Sequence, residues 1–294
     1  MKTKEGNLNT IGRFREIASL VYDDEIICSD KFLSLAEKNA NLMYFKRDLV
    51  FRGGVWRGKR YPSLFKSPLL LDGKTLILGH SDKPTSAFLS KTILATKKVA
   101  RIYGTNLQPV PQLSFSVPLG VTNFTEESDL HTLLGDVSHF VSADERSDHQ
   151  DKFSLTVSAS FTSKNNKRVR GQVLRVLSAL PRKFKVSVEL PDFSAEGRIR
   201  FLVNTRHSAF TVCPEGNGVD THRLWETLYM GGIPIVTPNP LMNSLYSQLP
   251  VLVINKWSDL ANSQLLEEKW HEINRTSWDS SILRQTYWST AICQ

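Results

Sequence analysis

The stretch Phe210-Thr-Val-Cys-Pro-Glu-Gly-Asn-Gly-Val-Asp-Thr-His-Arg-Leu-Trp-Glu-Thr-Leu-Tyr-Met-Gly-Gly-Ile-Pro-Ile-Val236 decides how the rest of the chain is read. Phe210 to Cys213 is a short apolar run of the kind that a strand buries on both faces. Pro214-Glu215-Gly216-Asn217-Gly218 breaks it, with two glycines that permit positive φ and close backbone approach. Asp220 or Thr221 is suited to cap a following helix, in which Leu224, Trp225 and Leu228 predict a buried face. Gly231-Gly232 ends that helix, and Ile233 to Val236 is a second buried strand. The segment therefore reads as a strand–loop–helix–strand unit with a glycine loop at the helix start.

A helix start of this kind presents free N–H groups and a partial positive charge, so it suits a diphosphate. Arg223, in the first turn, adds a bidentate phosphate donor. Glu226, three residues on, lies on nearly the same face and suits the hydroxyls of a ribose. The same spacing also suits a plain surface ion pair between Arg223 and Glu226.

Working outward, a similar unit precedes this one. Phe153 to Phe161 alternates as a strand does, and Thr162 to Asn166 is a polar loop. Val169, Val173, Leu174, Val176, Leu177 and Leu180 recur at helical spacing up to Pro181, and Lys185 to Leu190 is the next strand. The unit lies in the most basic part of the chain: residues 151–200 hold eleven Lys/Arg against four Asp/Glu, and no acid falls between Lys164 and Lys185. Such a run can be a solvated helix face or a groove for a phosphorylated ligand. Its loop lies at the carboxyl end of a strand, the edge at which open α/β sheets bind ligands. After it, Leu265 to Ile273 predicts a helix in a tail rich in Trp and Leu, where core packing explains the tryptophans better than sugar stacking.

The first half carries no motif of its own. Glu25 to Cys28, Thr75 to Leu78, Val99 to Tyr103 and Leu113 to Val117 read as strands, with helical patterns after Asp30 and around residues 129–135. Short apolar strands separated by helices predict a mostly parallel sheet covered on both faces. The polar, aperiodic segment 142–151 is the linker. This gives domains at 1–145 and 152–260, followed by a helical tail at 261–294.

The chain of 294 residues, 40% hydrophobic and 22% charged, has ample apolar material for such cores and excludes disorder, collagen and disulfide knots. Cys28, Cys213 and Cys293 form an odd, widely spaced set that supports neither a disulfide framework nor a zinc cluster. The start has lysines without an apolar region behind them, and no run of about 18 apolar residues occurs anywhere. A cytoplasmic protein without a membrane span is expected, and the sequons at Asn123 and Asn274 are then chance matches.

The segment 210–236 resembles the nucleotide-sugar-binding segment of exostosin-like glycosyltransferases. Their pattern is a strand, Pro-x-Gly, a short loop, Arg-x-x-Glu-Ala and Gly-x-Ile-Pro-Val; Pro214, Gly216, Arg223, Glu226, Gly232, Ile233 and Pro234 match it. The resemblance implies an α/β GT-B-like fold of two Rossmann-type parallel-sheet domains, the first on the acceptor side and the second holding the donor. It also implies a tail that packs back on the N-terminal domain. It makes Glu226 the ribose ligand and Arg223, with Gly216, Asn217 and Gly218, the diphosphate ligands. Glu215, Asp220, Thr221 and His222 complete that loop, and Arg168 and Arg170 would face the donor phosphates from the preceding unit. Lys164 and Lys167 are weaker candidates, and Arg182, Lys183 and Lys185 would complement the far end of the helix dipole. Two features depart from the pattern: Thr227 stands in place of the family's Ala, and Gly218 where many GT-B enzymes carry a second glutamate.

An inverting transfer also needs a base for the acceptor hydroxyl. His80 and Asp82, just past the Thr75–Leu78 strand, are the first choices, with Asp30 and Asn123 behind them. There is no Asp-x-Asp and no HxxxH or HxH pair among the seven histidines, so no metal or other cofactor is expected beyond the nucleotide-sugar co-substrate. The expected partners are that donor and a carbohydrate or glycoconjugate acceptor, not nucleic acid. Two other readings fit the same residues: a GT-B-like module that binds without transfer, and a basic nucleic-acid-binding protein using residues 164–185.

Overall fold

The computed structural model describes residues 20–22, 42–45, 54–56, 59–61, 71–78, 82, 84–121, 155–283 and 285–293. The expected strand at Glu25–Cys28, the helix after Asp30, the helix at 129–135, the linker at 142–151 and the candidates Asp30, His80 and Asn123 lie outside them. The chain divides into two compact units. One holds the described residues up to Leu119 together with 285–293, and the other those from Gly120 to Leu283. The described residues therefore divide at Leu119, upstream of the expected linker. Together they make a mixed α/β fold with two parallel sheets.

The first unit is built on a five-stranded parallel sheet of β1 (Leu20–Tyr22), β2 (Leu42–Phe45), β5 (Thr75–Leu78), β6 (Arg101–Gly104) and β7 (Ser114–Ser116). A separate antiparallel hairpin pairs β3 (Gly54–Trp56) with β4 (Lys59–Tyr61). The sheet strands lie side by side in chain order, so no reversal of order marks a ligand crevice among them. The apolar run Leu76-Ile77-Leu78 is fully buried because β5 is flanked by β2 and β6. Helix α1 (Ala87–Lys97) starts where the Ser86 hydroxyl accepts from the Leu89 N–H at 3.2 Å. It ends at Lys98 in the left-handed region, and the Val99 N–H still bonds the Leu94 carbonyl. That is why β6 begins at Arg101 and not at Val99.

In the second unit the expected elements appear with small changes of boundary. With α3, α5 and β12 added to those expected, the unit runs β8 (Thr156–Ser160), α2 (Lys167–Ser178), β9 (Lys185–Glu189), α3 (Ala195–Arg206), β10 (Phe210–Val212), α4 (His222–Tyr229), β11 (Ile233–Val236), α5 (Asn243–Tyr246), β12 (Leu252–Val253) and α6 (Ser263–Arg275). The loop expected at 162–166 contains a short 3-10 turn, Ser163–Asn165, and α3 is an element that the apolar pattern did not announce. All five strands are parallel, in the order β12-β11-β10-β8-β9. The order reverses between β8 and β10, so the crevice at their carboxyl ends is the topological switch point of the sheet.

One core joins the sheet to α2 and α6. Val157, Ala159, Phe210, Val212, Ile233 and Ile235 come from the sheet and Val173 and Leu177 from α2. Leu266, Trp270 and Ile273 on α6 form a buried stripe at helical spacing in the same core. Pro234 sits inside a central strand without losing a ladder bond: its nitrogen faces β12, whose pairing begins only at Ile235. The last helix, α7 (Gln285–Cys293), belongs to the first unit, where the Tyr103 hydroxyl donates to the Ala291 carbonyl at 2.9 Å.

Candidate functional site

Three loops meet at the carboxyl edge of the second sheet: Phe161–Asn166 after β8, Cys213–Thr221 after β10 and Thr237–Asn239 after β11. Arg170, on the second turn of α2, ties the first two together. Its Nε donates to the Glu215 carbonyl at 2.9 Å, Nη1 to Thr162 at 3.2 Å and Nη2 to Pro214 at 3.4 Å. The guanidinium is buried and lies 5.6 Å from the centre of the Phe161 ring. Burial, and then the charge of Arg223, pull it below the usual arginine range. Asn166 adds a second tie: its side-chain oxygen caps α2 at Val169, and its amide donates to the Gly216 carbonyl at 3.2 Å.

The glycine loop owes its glycine to that clamp. A Cβ on Gly216 would stand 2.8 Å from Nη2 of Arg170. The positive φ that Gly216 and Gly218 permit is not used there, whereas Gly231, where α4 ends, takes it. The Gly216 N–H bonds the Gly218 carbonyl at 2.9 Å, which closes the turn on itself and leaves Asn217 exposed. Asn239, one residue before Pro240, donates to Glu215 Oε1 at 2.9 Å and so ties the third loop in. The Asn-Pro pair beyond a strand was the signal that could have marked it.

Helix α4 opens at Thr221 without a side-chain cap, so its first-turn N–H groups take no bond from that side chain. Asp220, the other expected cap, is buried and accepts from the Trp225 indole at 2.7 Å. His222 is turned to Gly120, whose carbonyl accepts from Nδ1 at 2.7 Å; the neutral ring then carries its proton on Nδ1 and leaves Nε2 as acceptor. Arg223 stacks on Phe201 at 3.8 Å and donates from Nη1 to Glu226 at 2.8 Å. The pair is not a surface one, because the Glu226 side chain is only 4% exposed. One of the five guanidinium N–H groups of Arg223 is thereby used among the described residues.

Behind the site the packing is close and chemically quiet. Thr227 donates its hydroxyl to the Arg223 carbonyl at 2.6 Å. Burial pushes the Cys213 thiol up to about 12. The Tyr246 hydroxyl is held well above its usual value, first by burial and then by the charges of Asp220, Cys213 and Glu215.

The expected residues thus divide into those that build the site and those that face it. Glu215, Gly216, Asp220 and Arg170 shape the loops, whereas Arg223 and the start of α4 present the polar surface, with Glu226 buried behind Arg223. Arg168, Lys164 and Lys167 are exposed. Arg175, not Arg182, Lys183 or Lys185, is the basic residue in the last turn of α2. Lys185 belongs to β9 and Lys183 donates to Ser263 at 2.5 Å. With Arg170 turned inward, the basic run does not form one exposed stripe. Asp82, in the first unit, is exposed.

Among the described residues no cluster of His, Cys, Asp and Glu could hold a metal ion, and no helix is long and apolar enough to cross a membrane. No protein-family model and no curated protein matches the chain.

Proposed function

We propose that the chain is a GT-B-like glycosyltransferase that moves a sugar from a nucleotide-diphosphate sugar to a hydroxyl of a carbohydrate or glycoconjugate, without a metal. The observation that carries this reading is the uncapped start of α4 at the switch point of the second sheet, with Arg223 and the buried Glu226 on its first turns. The likeness of the 210–236 segment to exostosin-like enzymes points the same way.

In the reaction the acceptor oxygen attacks the anomeric carbon while the bond to the diphosphate breaks. The uncapped start of α4 and the guanidinium of Arg223 would stabilise the charge that develops on the leaving diphosphate. Glu226 accepts hydroxyls of the nucleoside ribose and holds Arg223 in place. Arg170 and Asn166 fix the loop over which the diphosphate lies. An inverting transfer also needs a base for the acceptor proton, for which His80 and Asp82 are the candidates.

The test is a thermal melt of the purified protein against nucleoside diphosphates and nucleotide sugars, with and without EDTA, repeated on Glu226→Ala and Arg223→Ala. A ligand that binds only the folded state raises the midpoint, so one base should give an EDTA-insensitive shift that both substitutions abolish. Indifference to every nucleotide sinks the reading. A shift without sugar release to any acceptor would reduce the protein to a binding module.

A further inference from the structure

Strand β9 is the edge of the second sheet: it pairs with β8 in parallel and with no other described strand. Its sequence, Lys185-Val186-Ser187-Val188-Glu189, is self-complementary when read in the two directions. Laid antiparallel against a second copy about Ser187, it sets Lys185 opposite Glu189, Val186 opposite Val188 and Ser187 opposite itself. Opposite charges and β-branched pairs in these positions are the favourable cross-strand combinations.

The backbone phase agrees with this register. The Lys185 N–H bonds the Leu155 carbonyl, so Lys185, Ser187 and Glu189 turn their backbone groups toward β8. Val186 and Val188 then turn theirs outward. In the Ser187-centred register these two become the hydrogen-bonded pairs, which gives four main-chain bonds across the twofold axis. A slip of one residue would set inward groups against outward ones. A slip of two leaves only three of the five residues paired.

The side chains on this edge are exposed as an interface requires. Val188 is 47% exposed, and Leu190 and Phe193, just beyond the strand, are 79% and 74% exposed. Val186 and Val188 line an open groove with Leu174 and Leu177 of α2. A long edge with exposed apolar residues is a template for pairing with another chain. Lys185 would guard such an edge against random partners, but in this register it meets Glu189 of the other copy, whose carboxylate Asn204 and Arg200 of its own chain hold at 2.6 and 3.8 Å.

We propose that β9 is the interface of a homodimer, in which two copies pair antiparallel about Ser187 and join their sheets into one of ten strands. The inference is independent of the reaction the protein performs. It is tested by the mass in solution of the full chain, from light scattering behind a sizing column and from sedimentation over a concentration series. The expected result is a dimer that Lys185→Glu weakens about tenfold, since like charges then oppose each other at both ends. Val188→Pro, which removes an outward N–H, should abolish the dimer.

Thermal melts of each variant show whether the monomer stays folded. The register is read separately by Ser187→Cys in a Cys28→Ser, Cys293→Ser background. A non-hydrogen-bonded antiparallel pair brings Cα atoms to about 4.5 Å, so this variant should cross-link to itself under mild oxidation. A monomer at all concentrations overturns the proposal. So does a dimer that Lys185→Glu and Val188→Pro leave unchanged and that Ser187→Cys fails to cross-link.

Discussion

Arg170 and Gly216 are fitted to one another across the switch point: a Cβ at 216 would stand 2.8 Å from Nη2 of a guanidinium that three backbone carbonyls hold in place. A free arginine would swing aside, but this one can move only by giving up bonds to Glu215, Thr162 or Pro214. Gly216→Ala should therefore destabilise the second unit by about 1 to 3 kcal/mol, the usual range for overpacking a fitted site. In a double-mutant cycle with Arg170→Met, the alanine should cost much less once the guanidinium is gone. Urea denaturation of the four proteins checks this; additive losses would show that the two residues do not share a constraint.

The unequal surroundings of Arg223 and Glu226 predict unequal losses. The Glu226 carboxylate is nearly inaccessible and accepts from Arg223, whereas Arg223 is about a quarter exposed and also rests on Phe201. Arg223→Met strands a buried carboxylate and should cost about 3 kcal/mol. Glu226→Gln keeps the shape and an acceptor and should cost about 1 kcal/mol. Equilibrium unfolding at neutral pH ranks the two, and the reverse order would mean that Glu226 is compensated from elsewhere. If Glu226 also receives a ribose, the glutamine variant should lose most of the nucleotide-induced midpoint shift while staying folded.

How much of this was legible beforehand follows from the range of the interactions involved. The β8-α2-β9 and β10-α4-β11 units were legible because their apolar residues keep one period and are buried on folding. Helix α3 was not, since Ile199 and Val203 on it are each 37% exposed and give no clean stripe. Arg223 and Glu226 were legible because one helical turn separates them. The role of Arg170 was not, because its carbonyl partners at Pro214 and Glu215 lie more than forty residues away. The same holds for Asn239, whose partner Glu215 is set by the packing of β10 beside β11 and not by local spacing.

Asp220 separates a loop-building role from a ligand-binding one. Its carboxylate accepts the buried Trp225 indole N–H at 2.7 Å. Asp220→Ala leaves that donor without an acceptor and should cost about 1 to 3 kcal/mol. Asp220→Asn retains an acceptor oxygen and should restore most of the stability. Nucleotide binding by the asparagine variant should match that of the unaltered protein, measured by the same thermal shift. A full loss of binding in a stable Asp220→Asn protein would place Asp220 among the ligand contacts instead.

Cys213 predicts a loss of stability in alkali that one substitution removes. Its thiol is buried beside Thr227 and raised to about 12, whereas in the unfolded chain it titrates near the ordinary value of about 8.5. Between these values the unfolded chain has released the proton and the folded protein still holds it. The unfolded state therefore binds fewer protons, and the stability falls as pH rises through this window, by about 1.4 kcal/mol per unit for a single such group. Tyr246, also raised by burial, adds a loss of the same sign at still higher pH. Cys213→Ala lowers stability near neutrality through the lost packing, yet its urea midpoint should decline less steeply than that of the unaltered protein between pH 9 and about 11. Cys28 and Cys293 are common to both proteins, so the difference between the two slopes belongs to Cys213. Parallel slopes would mean that water reaches the thiol in the folded state, in which case a thiol reagent should label it at pH 8 without denaturant.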